Sequence, residues 1–376
     1  MNIEKRELKG NCLHDFPYGK SRRKCPHSIL ISATESGCCI FRCPICYARA
    51  YPWSKENKVI IYSNIVEKLR EELQKANLVF PIYLSQVTDP LQPIKEVREL
   101  TAKIISLLME WELSFGIVTK SATGPLWLLR ELPQLKEYPY WFLTLTIEST
   151  PKKQMITSPF ASKILDRFRT LNYFNKIGIS GICRIDPTLL GIIEPEDIIY
   201  LLNRAKEAGS PHIIGSTGYF NKISIRRVGQ AIAHSPYASR LKEFFRLYRF
   251  APEKIDQYQD NKRFTCPISL RIKFHTWLRK EVENRGMTYA VCQELPREYD
   301  SKDIPSCEGV KNIFVHIKDF NGKFKPIPCS GDCLRFCPDK NNPPCGHPNL
   351  QKEYPFKYKS LFSSAKIYLF SRFAFV

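Results

Sequence analysis

Three cysteines, Cys39, Cys43 and Cys46, stand at the spacing C-x3-C-x2-C in a chain of 376 residues. No helix or strand brings three thiols at this spacing to one point, so the chain must loop around a common centre for them to converge. Thiolates are the usual holders of iron–sulfur clusters, and a complete protein shell takes four. Three leave one iron open to a substrate or cofactor. The alternative is a zinc hook completed by Cys38 or by a distant cysteine, although structural zinc more often uses paired C-x2-C hooks.

A second set reads Cys329-x3-Cys333-x3-Cys337-x7-Cys345, with Cys292 and Cys307 before it and His347 just after. It lies in a Pro-rich stretch with little apolar core, so a metal-stabilised segment is expected: a second iron–sulfur cluster, or zinc. Reduced, buried cysteines are the bland reading. Two Cys-x-His pairs, Cys12/His14 and Cys25/His27, could form a small zinc site within residues 1–27; otherwise these residues are an irregular arm. The N-terminus lacks an apolar signal core and no apolar run is long enough to span a bilayer. A cytoplasmic chain without membrane contact is expected, whose 14 cysteines serve metal sites rather than disulfides.

The elements that position these groups are legible as a strand–helix alternation. Short apolar runs at 28–34, 78–85, 115–119, 141–147, 176–183 and 212–216 read as strands, with Pro81 an irregularity in the second. Helical patterns lie at 66–73, introduced by Ser63 as a cap, and at 94–111, 160–173 and 198–208, the last stopping at Gly209. Six strands with crossovers make parallel β/α units, too few for a closed eight-stranded barrel. The fold class is α/β, an open parallel β6α6 partial barrel over 28–220. The alternation is expected to break after residue 220, giving a basic helical region at 221–293 (helix 268–285, strand 287–292) and a Cys-rich segment at 294–376. Reacting groups of β/α barrels sit where strands end. There stand the three cysteines, Thr88 and Asp89, Lys120 and Ser121, Glu148 and Ser149, Arg184 and Asp186, and Ser216 and Thr217. Each of them could equally cap the following helix.

The loop Cys39 to Cys46, followed by Tyr47-Ala48-Arg49, resembles the cluster loop of radical S-adenosylmethionine (SAM) enzymes. More narrowly, the chain is similar to the spore photoproduct lyase-like group over residues 28–220. The matching segments are Thr88-Asp89-Pro90-x-Gln92-Pro93, Ile117-Val118-Thr119-Lys120-Ser121 and Arg184-x-Asp186-Pro187. The resemblance implies a 4Fe–4S cluster at the three cysteines, SAM on its open iron, and an electron donor such as a ferredoxin or flavodoxin. Lys120 or Arg184 can pair with the SAM carboxylate. Thr88, Asp89, Glu148 and Ser149 can hold its amino group or ribose, with Ser121 and Ser216 at the same rim. The chain departs from the group at two places. Ile45 replaces the aromatic residue common before the third cysteine. Ser85-Gln86-Val87 stands where spore photoproduct lyase carries its hydrogen-donating cysteine, and of that enzyme's paired tyrosines only Tyr47 is present. Thymine-dimer reversal is therefore not expected. Cys183, or Cys38, could donate hydrogen instead, with Tyr47 beside it in the catalytic set.

The net charge is +20, and residues 222–285 carry 15 Lys/Arg against 6 Asp/Glu. Polyanions, above all nucleic acids, are the partners such a balance suggests. Phe244, Phe245, Tyr248, Phe250, Phe264 and Trp277 lie among these charges, as stacking surfaces for bases or as core of amphipathic helices. The sequence thus supports radical SAM chemistry on a nucleic acid or other anion. The alternatives are a radical SAM enzyme acting on a peptide or small molecule, and a non-enzymatic, metal-binding nucleic-acid module.

Overall fold

The computed structural model describes residues 2–15, 29–51, 53–54, 57–85, 87–330, 337, 339, 341, 343–345 and 358–362. Cys25, His27, Cys333 and His347 lie outside them. The chain opens with β1 (Asn2–Arg6), β2 (His14–Asp15) and β3 (Ile29–Leu30), and after the cysteine loop it returns as β4 (Lys58–Tyr62), parallel to β1. The first residues are therefore a sheet strand rather than an irregular arm. In α1 (Ile65–Lys75) the N-cap is Asn64, not Ser63. The Asn64 side chain accepts from Leu8 N–H at 2.8 Å, and Ser63 turns its hydroxyl to the Arg6 carbonyl. Pro81, with no N–H to give, splits the second strand into β5 (Leu78–Val79) and β6 (Ile82–Leu84).

Then follow α2 (Lys95–Glu110), β7 (Phe115–Thr119), α3 (Thr123–Glu131), β8 (Trp141–Thr146), α4 (Gln154–Thr157), α5 (Ile164–Lys176) and β9 (Gly181–Ile185). The last strand starts later than residue 176, because α5 runs on to Lys176 and the chain turns at Gly178, whose φ is +84°. α6 (Pro195–Glu207) carries Pro at its first turn and a capping box between Glu194 and Asp197. β10 (His212–Gly215) follows.

The alternation does not stop at residue 220. α7 (Lys222–Ala233), α8 (Leu241–Leu247) and α9 (Ile268–Glu283) form a long crossover to β11 (Thr288–Val291), which pairs in parallel with β10. Pro236, Pro252 and Pro267 interrupt the helical period here, which hides the repeat from a reading by periodicity. The main sheet runs β11-β10-β9-β8-β7-β6-β3-β2, parallel except for the β2–β3 pair. In the Cys-rich segment, β12 (Val315–Lys318) and β13 (Phe324–Ile327) form a hairpin that adds antiparallel to β5.

Side chains alternate along the parallel strands. Ile117, Leu143, Leu145, Cys183, Ile185 and Ile213 face the helices, while Tyr83, Phe142, Ile182 and Ile214 face the concave side. Val310 and Ile313 pack on this inner set and plug the end where the strands begin. Asn312 fastens the plug by donating to the carbonyls of Pro139 and Trp141 at 2.7 and 2.9 Å. The concave side is thereby left open only where the strands end. Phe244, Tyr248, Phe250 and Phe264 are buried against Phe220 and one another, and Phe245 and Trp277 are half-buried against the core. These rings are core, the second of the two readings their sequence allows. Among the described residues no helix is long and apolar enough to cross a membrane.

Candidate active site

At the open end lies a cavity of about 720 Å³, with Cys39, Cys43, Cys46 and Tyr47 in its wall. The loop that carries them is shaped by its own sequence. Gly37 has φ +80°, and a Cβ there would stand 2.4 Å from Ser54 Oγ and 2.5 Å from the Ala48 carbonyl oxygen. Only glycine fits this crossing. Arg42 is left-handed, at φ 45°, and its carbonyl accepts from Arg49 Nη1 at 2.6 Å, closing the loop.

The polar segment after β6 serves this loop. Gln92 is fully buried, and its Oε1 accepts from Ile40 N–H at 2.8 Å. Asp89 accepts from Thr119 Oγ1 at 2.8 Å, Lys120 N–H at 2.7 Å and Leu91 N–H at 2.9 Å. Burial pushes the Asp89 carboxyl up, and these donors pull it back. Asp89 thus ties the ends of β6 and β7 together at the cavity wall. Thr88 shares a 2.8 Å hydrogen bond with Ser32. From the other side Asn221 and Arg227, at the start of α7, donate to the carbonyls of Ala50 and Arg49 at 3.2 and 3.3 Å.

The rim residues divide. Thr88, Asp89, Lys120, Arg184 and Ser216 line the cavity; Ser121, Glu148, Ser149 and Cys183 do not. Ser121 Oγ accepts from Gly124 N–H, in the first turn of α3, at 2.9 Å, and Ser149 bonds Thr157 at 2.8 Å. Glu148 is fully buried behind the wall, where its Oε2 takes Lys120 Nζ at 2.7 Å and Arg167 Nη1 at 3.1 Å. Burial works to raise its pKa, but Lys120 and Arg167 outweigh this and hold it at about 2. Cys183 faces the helix layer from β9, with burial raising its thiol pKa. It does not line the cavity, where a hydrogen donor to a bound substrate would stand. Its strand neighbours Ile182 and Arg184 take the inner face, because successive side chains of a strand point to opposite faces.

Cys292, at the end of β11, groups in sequence with the C-terminal cysteines but lines the cavity instead; Arg184 Nη1 donates to its Sγ at 3.3 Å. Arg184 also pairs with Asp186 at 2.8 Å and, through the plug, with Glu308 at 2.9 Å. Asp186 in turn accepts from Ser216. The two ion groups differ in sign. Lys120 and Arg167 against Glu148 leave one positive charge, whereas Arg184 against Asp186 and Glu308 leaves one negative charge. The first suits a carboxylate in the cavity, the second an amino group or sulfonium. Glu294 on the facing wall accepts from Thr217 Oγ1 at 2.8 Å, from His275 Nε2 at 3.1 Å and from Gly218 N–H, and pins the ends of β10 and β11.

Cys39, Cys43 and Cys46 all open on the same space, as three cysteines holding a cluster with one open iron would, and Cys38 does not line it. Burial raises the Cys43 thiol to about 12, with Lys120 opposing. Elsewhere, Cys12 donates its N–H to Glu72 at 2.6 Å in the core, and Cys329 and Cys345 are buried in apolar surroundings. Of the described C-terminal cysteines, Cys337 donates to the Asp339 carbonyl at 3.1 Å.

No family model matches the chain. A curated relative, the radical SAM Nalpha-GlyT isomerase of Pseudomonas phage M6, is 23% identical over 359 residues, spanning 89% of this chain and 71% of the relative. In fold the chain is similar to a single-residue variant of spore photoproduct lyase, with TM-score 0.55 and 12% identity over 78% of this chain and 82% of that one. A double variant of the same lyase, with bound AdoMet and dinucleoside spore photoproduct, gives the same score, identity and coverage. With a sequence relative named for radical SAM isomerisation, a fold shared with spore photoproduct lyase, and three cysteines opening on a cavity of this kind, the chain is a radical SAM enzyme.

Proposed function

We propose that this enzyme holds a 4Fe–4S cluster on Cys39, Cys43 and Cys46, cleaves SAM reductively, and rearranges a modified base of a nucleic acid. The observation that carries the reading is the cavity wall. Six cationic residues (Arg42, Arg49, Lys120, Arg184, Arg263, Arg271) stand there against three acidic ones (Asp89, Asp186, Glu294). Glu148 and Glu308 behind the wall pair with Lys120 and Arg184, and Arg49 and Arg271 hold main-chain carbonyls, so the charge left for an anionic substrate is chiefly that of Arg42 and Arg263. The volume is in the upper part of the roughly 300–1,000 Å³ of ligand pockets, room for SAM and one more flat group.

Cluster and SAM together supply a 5′-deoxyadenosyl radical on one-electron reduction, the electron coming from a ferredoxin- or flavodoxin-type donor. The chain's own residues do the placing. Lys120, aimed by Glu148 from behind, meets the SAM carboxylate. The net negative group of Arg184, Asp186 and Glu308 suits the amino end, with Thr88 and Ser216 as hydroxyl partners. The names of the similar proteins support a nucleoside substrate: one isomerises Nalpha-GlyT, the other holds a dinucleoside photoproduct. Isomerisation conserves the substrate's atoms, so hydrogen taken at the start returns at the end. No separate donor thiol is needed, in keeping with Cys183 facing away. A second cluster at Cys329, Cys333, Cys337 and Cys345 is part of the proposal.

The test is anaerobic reconstitution with iron and sulfide, then reduction with SAM and with candidate modified nucleotides or DNA bearing them. Nucleic-acid-dependent conversion without deuterium uptake from D2O is expected. Deuterium in the product that disappears in Cys292→Ala would replace isomerisation by a thiol-donor reaction. Conversion of peptides but no nucleotide would sink the substrate class. About half of the wild-type iron should remain in the triple variant Cys39/Cys43/Cys46→Ala; zinc or no metal there removes the second cluster.

A further inference from the structure

Buried aromatics dispose of the stacking surface expected in the basic region, but another set of rings stands at the cavity mouth. Trp53 and Tyr219 are 53% and 45% exposed, unusual for rings of this size. Trp53 stacks on Tyr51 with centroids 4.8 Å apart, Tyr51 meets Tyr47 at 5.9 Å, and Tyr47 meets Tyr219 at 6.2 Å. The guanidinium of Arg263 lies 5.6 Å over the Tyr219 ring. Tyr47 directly follows the third cysteine, and Tyr47, Tyr51, Tyr219 and Arg263 all line the cavity. A continuous aromatic path therefore leads from the cysteine loop to solvent.

Arg42 and Arg263, both exposed at this mouth, make no ion pair with a carboxylate among the described residues. Rings that take flat faces, with uncommitted guanidinium groups beside them, match the two halves of a nucleotide.

We propose that Trp53, Tyr51 and Tyr219, with Arg263, are a stacking platform. It holds the bases beside the reacting one while that base enters the cavity of a single-stranded or locally opened nucleic acid. The proposal rests on the nucleic-acid reading above and names its surface. Stacking is independent of base identity, so the platform supplies affinity while the cavity selects the base. A duplex must open first, which costs it affinity relative to a single strand.

The test is binding of labelled oligonucleotides to the reconstituted full chain, without turnover, at two salt concentrations. Tyr219→Ala and Trp53→Ala should each weaken single-strand binding by about tenfold with an unchanged salt slope, because stacking releases no counterions. Tyr219→Phe should bind as wild type does. Arg263→Gln should lower the salt slope by about one unit. An abasic strand of equal length should bind weakly and be indifferent to Tyr219→Ala. Both rings are exposed, so melting temperatures should not move, which separates a binding loss from misfolding. If wild type binds oligonucleotides and the ring variants bind them equally well, the platform fails and the nucleic-acid reading stands. If wild type binds no oligonucleotide at low salt, or binds aromatic peptides in their place, both fail.

Discussion

Replacing Glu148 by Gln keeps the side chain's shape and removes its charge. The carboxylate is fully buried between Lys120 at 2.7 Å and Arg167 at 3.1 Å. Arg167 is itself fully buried, and it also donates to the carbonyls of Ser162 and Thr146 and to Ser158 Oγ. Those bonds hold it in place, so the variant keeps a buried cation that has lost its counter-ion. Breaking a buried pair from one side costs about 3–5 kcal/mol. A second route gives a similar size: the Glu148 pKa falls from 4.5 to about 2 on folding. At about 1.4 kcal/mol per unit, that shift is worth about 3 kcal/mol. For a chain this long, 1 kcal/mol moves the melting temperature by roughly 1–1.5 °C, so Glu148→Gln should melt roughly 4–7 °C lower at neutral pH. The sign with pH follows from the depressed folded pKa. The stabilisation is complete above 4.5 and fades as pH falls towards 2, so the gap between wild type and variant must narrow over that window. The double variant Glu148→Gln/Arg167→Met removes the orphaned charge and should recover about half the loss. Circular-dichroism melts at several pH values measure all three. A single variant within about 1 °C of wild type at neutral pH, or a double variant no better than the single, would refute the reasoning.

Three more outcomes follow from the site. Alanine at Cys39, Cys43 or Cys46 should abolish substrate conversion, and alanine at Cys38, outside the spacing, should not; full turnover in Cys43→Ala contradicts the cluster assignment. Cys183→Ala should lower the melting temperature by filling less of the helix-facing core yet leave substrate conversion unchanged; lost turnover in a folded variant would put Cys183 back in the chemistry. His212 and His316 are buried and held neutral, with burial lowering each pKa from 6.5 to about 4. The unfolded chain takes up protons first as pH falls, so stability is full above 6.5 and is lost from there towards 4, on the order of 3 kcal/mol per histidine. Urea midpoints that are equal at pH 7 and pH 5 would overturn this.

What the sequence determines alone is the local chemistry. The C-x3-C-x2-C spacing admits few structures, because three thiols so close can share a centre only in a loop. The strands are legible because a parallel sheet buried on both faces needs runs rich in apolar and β-branched residues, as in 115–119 and 141–146. Glycine at 37 and proline at 81 act through their own backbone limits, wherever the rest of the chain goes. Facing and partnership belong to the tertiary structure. Cys183 and Arg184 are neighbours in sequence, yet a pleated strand sends one to the helix layer and the other to the cavity. The apolar rings of 244–264 look the same in sequence whether they meet bases or one another, and packing against Phe220 decided for the core. Glu308 reaches Arg184 across 124 positions, and Tyr47 meets Tyr219 across the mouth of the barrel. Contacts of that range are set by how the sheet curls and where the plug enters, and no spacing in the sequence carries that information.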